Sequence, residues 1–186
     1  MRPPEPCAKA DTLLYPYALC RIRDSPISPH LRAMEKVKNI AIVAHDNRKA
    51  DMLEWVEWNY QLLSRHQLIC TGTTGAKVEQ VLAKLGTDKV PAPPVIKLKS
   101  GPLGGDQQLG AKISDGEIDV LIFFWDPMEP HPHDVDVKAL LRIAVVYNIP
   151  IACNRSSADF IISSPLIETR YEPKMKDYSG YIGRSI

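Results

Sequence analysis

One stretch of the sequence decides the fold: Ile118-Asp-Val-Leu-Ile-Phe-Phe124, followed at once by the turn Trp125-Asp126-Pro127. An apolar run of this length, closed by a turn, is typical of a strand covered on both faces of a sheet. Four further runs share the pattern, and segments of helical spacing separate them: Ile40–Ala44, Gln67–Cys70, Val95–Leu98 and Ile149–Ala152. Strands that alternate with helices predict a mainly parallel sheet with right-handed crossovers. We therefore expect an α/β fold, a single doubly wound three-layer α/β/α domain with a mainly parallel five-stranded sheet.

The helices follow from apolar residues that recur every three to four positions. The expected segments are Lys49–Leu63, Thr74–Leu85, Gly105–Ser114, Asp134 to about Tyr147, and Ser156–Ile162. Gly86 is expected as the glycine just past the second helix. Asp134 is expected as the N-cap of the fourth.

Composition narrows the class of protein. The 186 residues are 45% apolar and carry a formal charge of +1 without a basic block, so nothing supports binding to nucleic acid or to a membrane surface. No apolar run reaches the roughly 18 residues of a membrane span. The four cysteines show no CxxC spacing, and Cys70 and Cys153 each close a strand-like run, so these two are expected to be buried thiols. A reducing, cytoplasmic compartment is expected.

Residues 1–33 differ from the rest of the chain. They hold six of the 16 prolines and show no sustained periodicity, which argues against a core segment. We interpret them as a disordered arm or a mis-assigned start, and residues 34–186 as the domain. The absence of an uninterrupted apolar segment argues against a secretory signal.

Small, polar turns follow four of the expected strands. They are His45-Asp46, Thr71-Gly-Thr-Thr-Gly75, Ser100-Gly-Pro-Leu-Gly-Gly-Asp106 and Trp125-Asp126-Pro127. In a parallel sheet these turns share the carboxyl edge, where open α/β sheets bind ligands. Glycines let backbone approach a ligand, and helix N-termini attract anions. The turns predict a site for a small phosphorylated molecule.

Each candidate side chain also has a purely structural alternative. Asp106 is either a general base beside the ligand or a first-turn carboxylate that complements the helix dipole. The threonine turn binds an anion or simply caps a helix. His45, at the end of a strand, either contributes to the site or is an ordinary structural histidine. Lys49, one turn later, either points its charge toward the site or is an ordinary solvated lysine.

The segment His131-Pro-His133-Asp134-Val-Asp136 resembles a metal cluster, because histidines and carboxylates are the usual ligands of zinc. Against zinc, Asp134 and Asp136 are explained as residues of a helix start. The remaining interpretation is proton transfer. If Asp136 faces Asp106, the two carboxylates push their pKa values apart.

Five motifs in order across roughly residues 38–165 closely resemble bacterial methylglyoxal synthase. They are Ile42-Val-Ala-His45-Asp46, Thr71-Gly-Thr-Thr-Gly75, Ser100-Gly-Pro-Leu-Gly-Gly-Asp106-Gln-Gln, Asp119-Val-Leu-Ile-Phe-Phe-Trp-Asp126-Pro and Pro132-His133-Asp134-Val-Asp136-Val-Lys-Ala-Leu-Leu-Arg142. The resemblance implies a methylglyoxal synthase-like, flavodoxin-like fold. It also implies conversion of dihydroxyacetone phosphate to methylglyoxal and inorganic phosphate, without cofactor or metal, in a homohexamer.

The resemblance also implies roles for individual residues. Asp106 is the base, His133 and Asp136 hydrogen-bond the enediolate and move protons, and Asp126, His45 and Asp46 line the pocket. The residues that hold the phosphate are Lys49, Thr71, Thr73, Thr74, Ser100 and Gly101, with Arg184 as the candidate for an arginine that reaches in from a neighbouring subunit. Two alternatives stay open: a non-catalytic small-molecule sensor of the same fold, and a metal-dependent hydrolase built on His131 and His133.

Overall fold

The computed structural model of the protein describes residues 33–130, 134–174, 176–178 and 180. Five strands form one sheet in which every pairing is parallel. The strands are β1 (Asn39–Ala44), β2 (Gln67–Cys70), β3 (Val95–Lys97), β4 (Val120–Phe124) and β5 (Ile151–Ala152). The expected five-stranded parallel sheet is therefore confirmed.

The order of the strands across the sheet is β3-β2-β1-β4-β5. The chain is doubly wound like flavodoxin, but flavodoxin itself has the order 2-1-3-4-5. The winding reverses between β1 and β4, which are direct neighbours over the whole of β4. This reversal opens a crevice at the carboxyl ends of the central strands, where doubly wound sheets bind their ligands.

Helices cover both faces of the sheet. They are α1 (Lys49–Trp58), α2 (Tyr60–Leu63), α3 (Gly72–Leu85), α4 (Gly105–Ser114), α5 (Asp134–Val146) and α6 (Arg155–Ile162). Side chains alternate along β1, so Ile40 and Ile42 pack with α1, α2, α3 and α6, while Ala41 and Val43 pack with α4 and α5. The two apolar clusters on opposite faces confirm the three-layer α/β/α arrangement.

Three details of the helices differ from expectation. The segment expected as one helix breaks at Asn59, whose side-chain amide donates to the Trp55 carbonyl oxygen at 2.9 Å and competes with the helical ladder. Asp134 is the first residue of α5 rather than its N-cap, and it pairs with Lys138 one turn later. Gly86 directly follows α3 as expected, but in an extended conformation, with φ −60° and ψ 133°, instead of the left-handed one common for glycines at helix ends.

Two further expectations concern the cysteines and the membrane. The Cys70 thiol is buried, and burial raises its pKa to about 12, which fits a packing residue rather than a reactive one. Cys153 is only half-buried, which departs from the expectation, and this partial burial raises the pKa of its thiol. Among the described residues, no helix is both long and apolar enough to cross a membrane.

Candidate active site

A cavity of about 370 Å³ lies at the carboxyl edge of the sheet. The turns after β1, β2 and β3 and the end of β4 contribute to its wall, so it sits beside the reversal of the winding. Its lining residues are Val43, Ala44, His45, Asp46, Lys49, Thr71, Thr73, Ser100, Gly101, Pro102, Asp106 and Phe123. Eight of the thirteen side chains or turn residues expected from the sequence therefore share one cavity.

The turns after β2 and β3 are fastened to each other. The amide of Gly72 donates to the Lys99 carbonyl oxygen at 3.1 Å. A Cβ on Gly72 would lie 3.0 Å from the Ser100 nitrogen, so only glycine permits this approach without displacement. The start of α3 and the short 3-10 helix Gly101–Leu103 thus face the cavity side by side. First-turn amides of a helix have no carbonyl partner within that helix. This corner of the cavity, lined by Thr71, Thr73, Ser100 and Gly101, is therefore suited to an anion, and we call it the phosphate corner.

Lys49 brings the positive charge to the same corner. Its ammonium donates to the Thr73 hydroxyl at 2.7 Å and forms an ion pair with Asp46. The Lys49 side chain is only 11% exposed, whereas the Asp46 side chain is 83% exposed. The lysine therefore delivers its charge from within the cavity wall, and Asp46 pairs with it from the solvent side.

Thr74 behaves differently from Thr71 and Thr73. It is buried, and its hydroxyl donates to the Ala44 carbonyl oxygen at 3.5 Å, which ties the start of α3 to the end of β1. Thr74 is also not among the residues that line the cavity. What it can offer an anion is its first-turn backbone amide rather than its hydroxyl.

Asp106 is the second residue of α4 and is only 4% exposed, yet it lines the cavity. Gly104, in the left-handed region with φ 96°, and Gly105 bring α4 up against the turn after β3. The amide of Gly105 donates to the Ser100 carbonyl oxygen at 2.9 Å. This tight turn places a buried carboxylate and the expected anion corner in one cavity.

His45 is buried, and the hydrogen bond it accepts determines its tautomer. Its Nδ1 accepts from the Asp126 amide at 3.2 Å, so the neutral ring carries its proton on Nε2. The ring also packs edge-on against Phe123, with ring centroids 5.0 Å apart. His45 is therefore held as a neutral hydrogen-bond donor at the cavity wall.

Asp126 reaches the site through its backbone rather than its carboxylate. The carboxylate accepts from the Met128 amide at 3.0 Å and from the Asn47 side chain at 3.2 Å, and these bonds lower its pKa below the usual range. Asp126 does not line the cavity. That its carboxylate serves the pocket stays a prediction, and the contact that the structure shows is that of its amide with His45.

Asp136 lies half-buried in the first turn of α5 and is not among the lining residues. His133 and Arg184 lie outside the described residues. Within the described part of the chain, no group of three or more His, Cys, Asp or Glu side chains could hold a metal ion. The zinc alternative depends on His131 and His133, which are outside that part.

Sequence reasoning did not single out several residues at the site, among them the following. Phe123 and Pro102 line the cavity, and Asn47 holds the carboxylate of Asp126. The apolar run of β4 predicts a strand, but a continuous run gives no alternation from which the orientation of Phe123 could be deduced. Asn47 directly follows His45-Asp46, yet its partner lies 79 positions away in the sequence.

Comparisons with known proteins identify the relatives of this chain. The family model described as "MGS-like domain" matches residues 51–153. The chain is 59% identical over 157 residues to the methylglyoxal synthase of Maridesulfovibrio salexigens. This match covers 82% of the present chain and 100% of the relative. It is 52% identical to the methylglyoxal synthase of Coxiella burnetii strain RSA 493, over 81% of this chain and 99% of that protein.

A solved structure supports the same relationship. The crystal structure of methylglyoxal synthase from Elizabethkingia anophelis NUHP1 superimposes with a TM-score of 0.74 at 50% sequence identity. The match covers 83% of this chain and 96% of that one. Identity at this level over nearly the whole length of several relatives settles the assignment. The chain belongs to the methylglyoxal synthase family.

Proposed function

We propose that this chain is a carbon–oxygen lyase that converts dihydroxyacetone phosphate to methylglyoxal and inorganic phosphate. One observation carries the proposal: the buried carboxylate of Asp106 and the Lys49–Thr73 pair line the same cavity. The first is placed for proton abstraction and the second for a phosphate. The names of the relatives point to the same product.

The phosphate binds, in this proposal, at the corner formed by the start of α3 and the turn after β3. Lys49, Thr71, Thr73, Ser100 and Gly101 line that corner. Backbone amides and hydroxyls hydrogen-bond the phosphate oxygens, and the Lys49 ammonium supplies the compensating charge. Thr74 contributes through its amide, and Asp46 through its ion pair with Lys49.

The chemistry begins at the hydroxymethyl carbon of the substrate. Asp106 removes a proton from this carbon, and the electron pair forms an enediolate with the neighbouring carbonyl. His45, neutral and protonated on Nε2, can donate to the developing oxyanion, and donors placed in advance are worth several kcal/mol there. His133 and Asp136, which the family resemblance assigns to the same step, complete the proton-transfer set.

The enediolate then expels phosphate from the far carbon. This carbon–oxygen bond breaks when it stands perpendicular to the enediolate plane, because only then does it overlap with the π electrons. A phosphate fixed at the Lys49–Thr73 corner holds that pose, and positioning of this kind contributes several kcal/mol. The remaining enol takes up a proton on carbon and becomes methylglyoxal, so the atoms of the substrate equal those of the two products.

A non-catalytic sensor of the same fold is the alternative. A sensor needs the phosphate corner, but it has no use for a carboxylate that is only 4% exposed in the cavity wall. Burying a carboxylate next to an anion site is costly, which favours a chemical role.

The product assay tests the proposal. Incubation of the purified protein with dihydroxyacetone phosphate should release methylglyoxal and phosphate in equal amounts, with little glyceraldehyde 3-phosphate. Accumulation of glyceraldehyde 3-phosphate would indicate isomerisation instead of elimination. Tight phosphate binding without either product would favour the sensor.

Thr73→Ala should weaken substrate binding more than turnover. The threonine hydroxyl meets the Lys49 ammonium at 2.7 Å, and a hydrogen bond to a charged group contributes about 1.5–3 kcal/mol. We therefore expect KM to rise about tenfold or more, with a smaller change in kcat. Thr87→Ala is the matched control, because Thr87 accepts from the Val90 amide in a loop outside the cavity. A fall in kcat at constant KM would contradict the phosphate role of Thr73.

Three further expectations complete the proposal. Residues 34–186 form the catalytic domain, and the protein acts in the cytoplasm. The subunits assemble into a homohexamer in which Arg184 reaches a neighbouring phosphate corner. The domain bounds rest on the composition of residues 1–33, the compartment on the cysteine pattern, and the hexamer on the family resemblance. Size-exclusion chromatography with light scattering tests the oligomer.

A further inference from the structure

One asparagine side chain binds the segment that follows β4 at two of its residues. Asn47 lies in the 3-10 helix Asp46–Arg48, just after β1. Its side-chain amide donates to the Asp126 carboxylate at 3.2 Å and to the Glu129 carboxylate at 2.7 Å. We call residues 125–130 the post-β4 loop, and these bonds fix it at two points.

The chemistry of the contact needs an amide. Its –NH₂ group has two N–H donors, and each serves a different carboxylate. Two carboxylates that converge on one point repel each other, and the donors between them offset that repulsion. An aspartate of the same size would offer no donor and would add a third negative charge.

The post-β4 loop depends on these bonds because the sheet no longer holds it. Phe124 is the last residue of β4, and the next amide, that of Trp125, reaches the Cys153 carbonyl oxygen only at 3.4 Å. The position of Asp126 therefore depends on its carboxylate, which accepts from Asn47 and from the Met128 amide. The backbone amide of the same residue donates to His45 Nδ1 at 3.2 Å.

We propose that Asn47 is a positioning residue that keeps His45 in its Nε2-protonated tautomer by holding Asp126 in place. Asn47 does not line the cavity, so it acts through Asp126 and not on the substrate. Loss of its two donors releases the loop, and the Asp126 amide no longer points at Nδ1. The ring then populates both tautomers. The kinetic consequence rests on the proposed function, in which neutral His45 donates to the enediolate; the structural consequence does not.

The test compares three variants of the full chain: Asn47→Ala, Asn47→Asp and Asn47→Gln. Magic-angle-spinning NMR of protein labelled with ¹⁵N-histidine reads the tautomer, and His45→Gln identifies the His45 signals. Wild type should show one tautomer, and both the alanine and the aspartate variant should show a mixture. Glutamine keeps both donors and should largely restore the single form. Glu117→Gln is the control, because it changes one charge in an ion pair with Lys112 away from His45 and should leave the tautomer of His45 unchanged.

Kinetics provide the second measurement. Misplacement of a catalytic group by about 1 Å costs up to roughly a hundredfold, so we expect kcat to fall about tenfold in Asn47→Ala with KM within about twofold. Glutamine should recover most of kcat. A single His45 tautomer in Asn47→Ala, or an unchanged kcat in an active enzyme, would overturn the positioning role. A mixture of tautomers in a protein whose wild type makes no methylglyoxal would uphold the role of Asn47 and refute the proposed function.

Discussion

Asp106→Asn is expected to lower kcat by about 10²–10⁴-fold, the range typical for loss of a general base. The amide has the size of the carboxylate and still forms hydrogen bonds, but it cannot take up the carbon-bound proton. Steady-state kinetics with dihydroxyacetone phosphate measure the loss.

Phosphate binding separates this effect from a general disturbance of the site. Inorganic phosphate should inhibit or bind the Asp106→Asn variant nearly as well as wild type, because its contacts lie at the Lys49–Thr73 corner. A variant that keeps more than about a tenth of the wild-type rate would lie outside the range for a general base. Asp106 would then be a first-turn carboxylate of α4, and Asp136 or His133 would become the leading candidate for the base.

Gly105→Ala is expected to be the most damaging substitution of a residue that performs no chemistry. A Cβ at this position would lie 2.2 Å from the Lys99 carbonyl oxygen and 2.9 Å from the carbonyl carbon and oxygen of Ser100. These contacts are with backbone, so the turn after β3 must move away from α4. Asp106 and the phosphate corner flank this turn. Overpacking costs about 1–3 kcal/mol of stability, and a displaced turn should cost activity up to about a hundredfold.

Gly110→Ala on the same helix is the matched control. Apart from its chain neighbours and the nearby backbone of its own helix, no atom of the described residues lies within 4 Å of a Cβ at Gly110, and alanine is the better helix former by about 1 kcal/mol. Thermal unfolding should show a lower Tm for Gly105→Ala by about 2–4 °C per kcal/mol, and an equal or higher Tm for Gly110→Ala. Equal activity of Gly105→Ala and wild type would show that the turn after β3 does not set the geometry of the site.

The fold could be predicted because its signals are local. β2 and α4 begin and end where the sequence predicts, since turn residues and short apolar runs mark their ends. The order of the strands could not be read in the same way. The run Ile40–Ala44 does not indicate that β1 pairs with β4 and not with β3, because this pairing depends on packing between distant segments.

The site was predictable at the level of turns and less so at the level of atoms. Parallel strands share one carboxyl edge, so the residues of four turns were expected to meet there, and residues of three of these turns line one cavity. The direction of each side chain depends on local packing. Thr73 and Thr74 are adjacent in the same turn, yet one hydroxyl meets Lys49 and the other meets a backbone carbonyl of β1. The hydrogen bond from the Asp126 amide to His45 could not be predicted either, because sequence patterns describe side chains and not the direction of backbone amides.

The position of a bound substrate analogue tests the central claim most directly. 2-Phosphoglycolate carries a phosphate and a planar carboxylate that resembles the enediolate, so its complex with the protein shows both ends of the site. A crystal structure should place the phosphate within hydrogen-bond distance of the Lys49 ammonium and the Thr73 hydroxyl, with the carboxylate beside Asp106 and His45. A phosphate that binds outside the 370 Å³ cavity, or the reverse orientation with the phosphate beside Asp106, would contradict the account.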